Sequence, residues 1–269
     1  FDHGIPRYYG TNNLVSAQTI STTALWSGGI SGLSLSGRDV TLGIWDGGGT
    51  RTTHRELSGR VVQKDNPESL SDHATHVSGT MIGKGLSSDA RGMAHDASLN
   101  AYDYLNDLAE MAIEAANGLM ISNHSYGELS GWDYAELDSG KIEWFWFGNS
   151  SISQTEDYGF GSYSTESARL DSLTWFAPYY LSVHSAGNDR GEGPDVQPIA
   201  HWEYVNSEAV WVSDYRPLDG GNTGYDCLPT DKTAKNTLTV GAIWDIPGGY
   251  HSVEDVMMSS FSSWGPTDD

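Results

Sequence analysis

Residues 73–80 read His73-Ala74-Thr75-His76-Val77-Ser78-Gly79-Thr80, and upstream Asp46 closes the apolar run Val40-Thr41-Leu42-Gly43-Ile44-Trp45 ahead of Gly47-Gly48-Gly49. The run reads as a buried strand and the stretch after His73 as a helix, with Ala74, Val77 and Met81 on one stripe and Gly79 as a point of close packing against a sheet. An acid at a strand end and a histidine opening a helix form a charge-orienting pair. An imidazole acts as a general base at neutral pH when a carboxylate fixes its tautomer and stabilises its cation. Each residue also has a plainer reading. An acid before glycines is commonly a turn residue, and with nine histidines in the chain most must be surface or core groups. Asp72 is the only nearby rival to Asp46, and as the sequence neighbour of His73 on a helix it points elsewhere. A metal site on His73 and His76 is a further alternative, but His-Glu-x-x-His is missing.

Working outward, short apolar runs alternate with helical patterns, which predicts βαβ units around a parallel sheet. Strands are expected at 40–46, 98–103, 120–125, 181–186 and 236–243. A crossover helix is expected from Asp107, with Leu108, Met111, Ala112 and Ala115 at helical spacing and Gly118 as its stop. A second runs from Thr165 to Ala177, ended by Pro178. Segments 128–162 and 189–235 are aromatic and polar without clear period and read as long loops, the latter as a loop insertion. The 269 residues carry no Pro-rich or Ser-rich linker, so one α/β domain is expected.

Fourteen basic against 36 acidic residues give a formal charge of −22, which disfavours nucleic acid and anionic membranes as partners. Acidic loops of this kind either are simply solvated or cage calcium. The single Cys227 excludes an internal disulfide, and no apolar stretch is long enough for a membrane span. The start at Phe1 reads as a processed or trimmed end.

The motifs together resemble those of the subtilisin-like serine proteases, the subtilase or peptidase S8 family. The 73–80 stretch matches the family's His-Gly-Thr-His-Val-Ala-Gly-Thr except at Ala74 and Ser78; Asp46-Gly47-Gly48 stands where the family has Asp-Ser-Gly or Asp-Thr-Gly. His184-Ser185-Ala186-Gly187-Asn188-Asp189 resembles the Ala-Ala-Gly-Asn motif, and Ile121 to Gly127 resembles the strand that forms one wall of the S1 pocket. Ala234 to Ala242 and Phe261-Ser262-Ser263-Trp264-Gly265-Pro266 extend the resemblance without catalytic content. It implies a three-layer α/β/α subtilisin-like fold with a mainly parallel central sheet over 1–269. By position, His73 is then the general base, Asp46 its orienting acid and Asn188 the oxyanion donor. His76 is structural, and Ser125, Tyr126 and Gly127 bind substrate, with Leu105 and Asn106 on the opposite wall. Whether Tyr126 narrows the pocket or enters the core is open.

The family's serine motif, Gly-Thr-Ser-Met-Ala-x-Pro, is not found. Gly-Thr occurs at 10–11, 49–50 and 79–80, followed by Asn12, Arg51 and Met81. The family's acid–histidine–serine order places the nucleophile beyond Asp269. The expectation is therefore a serine endopeptidase domain incomplete at its C-terminal end, whose remaining polypeptide supplies the serine. Its substrate is a peptide or protein and its location secreted or at the cell surface; it needs no organic cofactor, and structural calcium is what the family implies. The alternatives are a catalytically inactive subtilase-fold binding module or split fragment, and a metal-dependent hydrolase.

Overall fold

The structure, a computed structural model, describes residues 13–205 and 208–268; Phe1, the pair Gly10-Thr11 and Asp269 lie outside them. It divides into two compact units, the first running to Asp107 and taking in Trp244–Met257, the second comprising Leu108–Ile243 and Met258 onward.

The first unit contains helix α1 (Asn13–Thr19), strands β1 (Thr41–Asp46) and β2 (Val61–Gln63), helix α2 (Asp72–Ile82) and strand β3 (Ser98–Asp103). The strands are parallel in the order β1-β3-β2, with Thr41 opposite Ser98 and Asp46 opposite Asp103. β1 and β3 lie where their apolar runs predict. α1 and β2 escaped the sequence reading because a seven-residue helix and a three-residue strand carry too few apolar positions to show a period. Ile44, Leu57, Ile82 and Leu99 are fully buried in one cluster, each contributing roughly 1.5–3 kcal/mol. α2 lays Ala74, Ser78 and Ile82 inward, while Val77 and Met81 pack on the edge of that cluster. Gly79 is not a point of close packing: a Cβ there meets nothing within 4 Å among the described residues.

Two charged side chains join the segments around this core. The Arg60 guanidinium donates to the carbonyls of Glu56, Ile82, His95 and Ala97 at 2.6–2.9 Å. The buried Glu56 carboxylate accepts from the N–H groups of Gly85, Leu86 and Ser87 at 2.7–3.1 Å.

The second unit holds helix α3 (Asp107–Ala116), strands β4 (Ile121–His124), β5 (Trp132–Glu136) and β6 (Ile142–Trp146), helix α4 (Thr165–Phe176), then β7 (Leu181–Ser185), β8 (His201–Val205), β9 (Glu208–Val212) and β10 (Leu238–Val240). β10, β7 and β4 pair in parallel, as expected, although each is shorter than its apolar run. Ser164 caps α4 through Ser167 N–H, and the helix stops one residue before the expected Ala177. The two segments read as loops instead supply a four-stranded sheet in the order β5-β6-β8-β9. Its register pairs Trp132 with Trp146 and Trp202 with Trp211. β6 and β8 meet across the whole intervening chain, and such non-local pairing leaves no local turn signal.

On the parallel strands His124 stands opposite His184, and their rings stack 4.5 Å apart within 10° of parallel. Each Nε2 meets the serine two residues earlier, Ser122 and Ser182, at 2.7 Å. Burial keeps both imidazoles neutral. It lowers the His184 pKa to about 3, with help from the Lys232 charge, and lowers that of His124 well below the ordinary range.

Burial alone would raise the Glu56 pKa, but its three N–H donors and Arg55 reverse this and hold it below the ordinary 4.5. Its contribution is therefore present above about pH 4.5 and lost as pH falls through the lower folded-state value. Glu56→Ala is expected to cost about 2–4 kcal/mol near neutrality by leaving the N–H groups unpaired. In urea titrations that difference should shrink below about pH 4.5. The neutral histidines contribute stability present above their unfolded pKa, near 6.5, and lost as pH falls toward about 3. The advantage of wild type over His184→Gln should thus fall by about 2 kcal/mol between about pH 7.5 and about pH 5, and an unchanged difference would refute a neutral buried pair.

Candidate active site

Asp46 ends β1 with its side chain 2% exposed, whereas the His73 side chain, in the first turn of α2, is 58% exposed. His73 Nδ1 lies 2.7 Å from Asp46 Oδ1 and 2.9 Å from Oδ2. A carboxylate can only accept, so Nδ1 carries the proton and Nε2 is left as an acceptor. A buried acid therefore holds an accessible imidazole in the tautomer that a general base needs.

Local chain geometry fixes this pair. Ser71 caps α2 by accepting from Ala74 N–H at 3.0 Å, which sets the direction of the first turn. The segment before the cap zips to the glycine loop after β1: Gly49 N–H donates to Ser69 O at 2.9 Å and Ser71 N–H to Gly49 O at 2.8 Å. That approach excludes side chains. A Cβ on Gly48, at φ 135°, would lie 3.1 Å from Ser69 O, and one on Gly49 would lie 2.7 Å from Pro67 Cγ. At Gly47, where the family has a hydroxyl residue, the Tyr104 ring lies 3.3 Å from where a Cβ would stand. The Gly47 N–H donates to Asp46 Oδ1 at 2.8 Å, which supplies the acid with a further donor.

Asp72 and His76 belong to a different surface. With Arg51, His54, Glu56 and Thr75 they line a hollow of about 380 Å³ that does not include His73. The metal reading has no support from geometry, since among the described residues no three His, Cys, Asp or Glu side chains gather as ligands. Leu105 is exposed after β3, and Asn106 follows in the left-handed region at φ 64°.

The remaining sequence-predicted residues lie in the second unit. β4 and β7 run parallel, so Ser125–Gly127 and Gly187-Asn188 leave their strands at the same end. Asn188 is exposed. Its loop is tied down from a distant segment: Ser263 Oγ donates to Asp189 Oδ2 at 2.8 Å and accepts from Asp189 N–H at 3.0 Å, while Ser263 N–H donates to Gly187 O at 3.1 Å. The Phe261–Pro266 motif, read as having no part in the chemistry, thus positions the Asn188 loop. Only its conspicuous sequence hinted at this.

Tyr126 turns into the core. Its hydroxyl lies 3.0 Å from Nδ1 of the fully buried His124, and its carbonyl accepts from Lys232 Nζ. Ser125 Oγ accepts from Asn123 Nδ2 at 3.0 Å, and Gly127 is exposed.

Acids crowd the chain after Asn188. Burial raises the Asp189 pKa; burial followed by repulsion from Asp133 and Asp189 raises that of Glu192 to about 7. Asp219 is pushed well above the carboxylate range by burial and by Asp189, Glu192 and Asp157, although the Trp132 N–H it accepts at 2.8 Å opposes this.

Comparison with known proteins agrees with these elements. The chain resembles the solved prenylagaramide maturation protease PagA, with a TM-score of 0.50 at 17% identity over 91% of this chain and 64% of that one. A serine protease of Aeromonas sobria gives 0.49 at 18% over 98% and 44%. An epidermin leader peptide processing serine protease of Staphylococcus aureus gives 0.48 at 16% over 96% and 57%. The chain thus spans less than two thirds of each of these proteins, and at 17% identity the likeness to the first speaks for the fold alone, α/β with a mainly parallel sheet. No curated protein matches it. Residues 37–269 match the Subtilase family profile of peptidase S8, a span that takes in both units, and the chain belongs to the subtilase family.

Proposed function

We propose that the chain is the acid, base and oxyanion portion of a serine endopeptidase. The observation that carries the proposal is the buried Asp46 carboxylate within 2.7 Å of His73 Nδ1, with the imidazole open to solvent. In this reading His73 Nε2 takes the proton of a serine hydroxyl lying outside these 269 residues, and the freed oxygen attacks the peptide carbonyl. Asn188 donates to the resulting oxyanion. His73 then returns the proton to the leaving amine, and the same base activates the water that hydrolyses the acyl-enzyme. Throughout, Asp46 holds the tautomer and faces the imidazolium.

Peptides would bind along Ser125–Gly127. The segment directly follows β4, and backbone pairing with an extended peptide is the general means by which a strand edge holds one. A place outside the cytoplasm is part of the proposal, supported by the acidic surface and the family; no helix among the described residues is long and apolar enough to cross a membrane.

The test uses protein made from the complete reading frame. A fluorophosphonate should label one serine outside 1–269 and stop peptide hydrolysis; a folded sample that neither labels nor cleaves would defeat the reading in favour of an inactive binding module. Asp46→Asn is expected to lower kcat by about 10⁴-fold through loss of the tautomer. Asn188→Ala should lower kcat by about 10²- to 10³-fold with KM little changed, a magnitude carried over from subtilisin's own asparagine.

A further inference from the structure

Lysine is seldom buried, yet the Lys232 side chain is 1% exposed. It ends a 3-10 turn, Thr230–Lys232, and its Nζ has two partners: it donates to the Tyr126 carbonyl and pairs with Asp231 Oδ2 at 2.7 Å. The same Nζ lies 3.0 Å from where a Cβ on Gly127 would stand, so a side chain at 127 would press on the buried ammonium.

We propose that Lys232 is a positioning residue for peptide binding, its ammonium holding the Tyr126 carbonyl inward so that Ser125 and Gly127 present their backbone groups outward. The proposal deepens the endopeptidase reading and rests on it. The segment is taken to continue the course of β4, which ends at His124; on an extended course successive carbonyls point to opposite sides, so fixing the middle one fixes its neighbours in the opposite sense. The anchor is rigid. Lys232 O accepts from Thr239 Oγ1 at 2.9 Å beside β10; Thr230 O accepts from Ser167 Oγ of α4 at 2.5 Å; Thr233 Oγ1 donates to Ser162 O at 3.0 Å. On the other side Tyr126 is held through its hydroxyl on His124. A buried cation costs several kcal/mol unless paired, and here one of its partners is backbone of the segment proposed to bind substrate.

Lys232→Met alone would strand the Asp231 carboxylate, so the test is the Asp231→Asn/Lys232→Met double variant in protein from the complete reading frame. KM for a peptide amide, kcat, labelling by a small fluorophosphonate and hydrogen exchange at 125–127 are measured together. The probe needs the serine and histidine but no strand pairing. The expected result is a KM raised at least about 10-fold, faster exchange at 125–127 and a labelling rate within about 2-fold of wild type. Lys232→Arg keeps the cation and should recover part of the KM; it also serves if the double variant does not fold. Unchanged KM in a folded variant overturns the proposal, as does a parallel loss of labelling and turnover, which would mark Lys232 as merely structural. A wild type that neither labels nor cleaves overturns the endopeptidase reading itself, and this inference with it.

Discussion

A carboxylate buried at the end of a parallel strand is tolerable only when its oxygens are fully engaged, and at Asp46 that requirement organises everything around it. The acid accepts from its own successor, Gly47, and from His73. For the histidine to reach it, the chain between the glycine loop and α2 must run against that loop closely enough that Gly48 and Gly49 have no room for side chains. The triple glycine, the serine cap and the strand end therefore act as one device. It leaves the imidazole accessible while the group that controls its proton is sealed from water.

The second unit solves a different problem with similar means. Its parallel strands carry histidines and serines where aliphatic residues would ordinarily stand. They are accommodated by pairing imidazole with hydroxyl along each strand and by stacking the two neutral rings. Lys232 and Tyr126 extend that network to the edge where the proposed substrate segment emerges, so the interior polarity and the placement of 125–127 are one structure. The cost is sensitivity to acid. Nearby, Asp189, Glu192 and Asp219 respond in the opposite sense, since their raised pKa values favour the folded state as pH falls. The pH dependence of this unit's stability thus combines two sets of groups that respond in opposite senses.

Much of this was legible beforehand wherever a single segment carried its own signal. β1 is a short apolar run ending in Asp46, β3 interleaves Leu99, Ala101 and Tyr102 with polar residues, α2 opens with a cap and a histidine motif, and α4 ends shortly before a proline. Each can be read from neighbours in sequence because the forces that shape it are local. The aromatic sheet was missed for the converse reason. Trp144 and His201 stand side by side in adjacent strands, and neither segment alone buries enough apolar surface to declare itself.

The amino-acid sequence by itself determined the family, the order of acid, base and oxyanion motifs, and the candidates Asp46, His73 and Asn188, because those depend on residue type and spacing along the chain. Tertiary structure alone decided which nitrogen of His73 carries the proton, that the Tyr104 ring packs beside Gly47, that Ser263 staples the Asn188 loop, and that Tyr126 faces His124 while its carbonyl meets Lys232. Each of those depends on groups far apart in the chain meeting within hydrogen-bond or van der Waals distance, and only the folded packing brings them there.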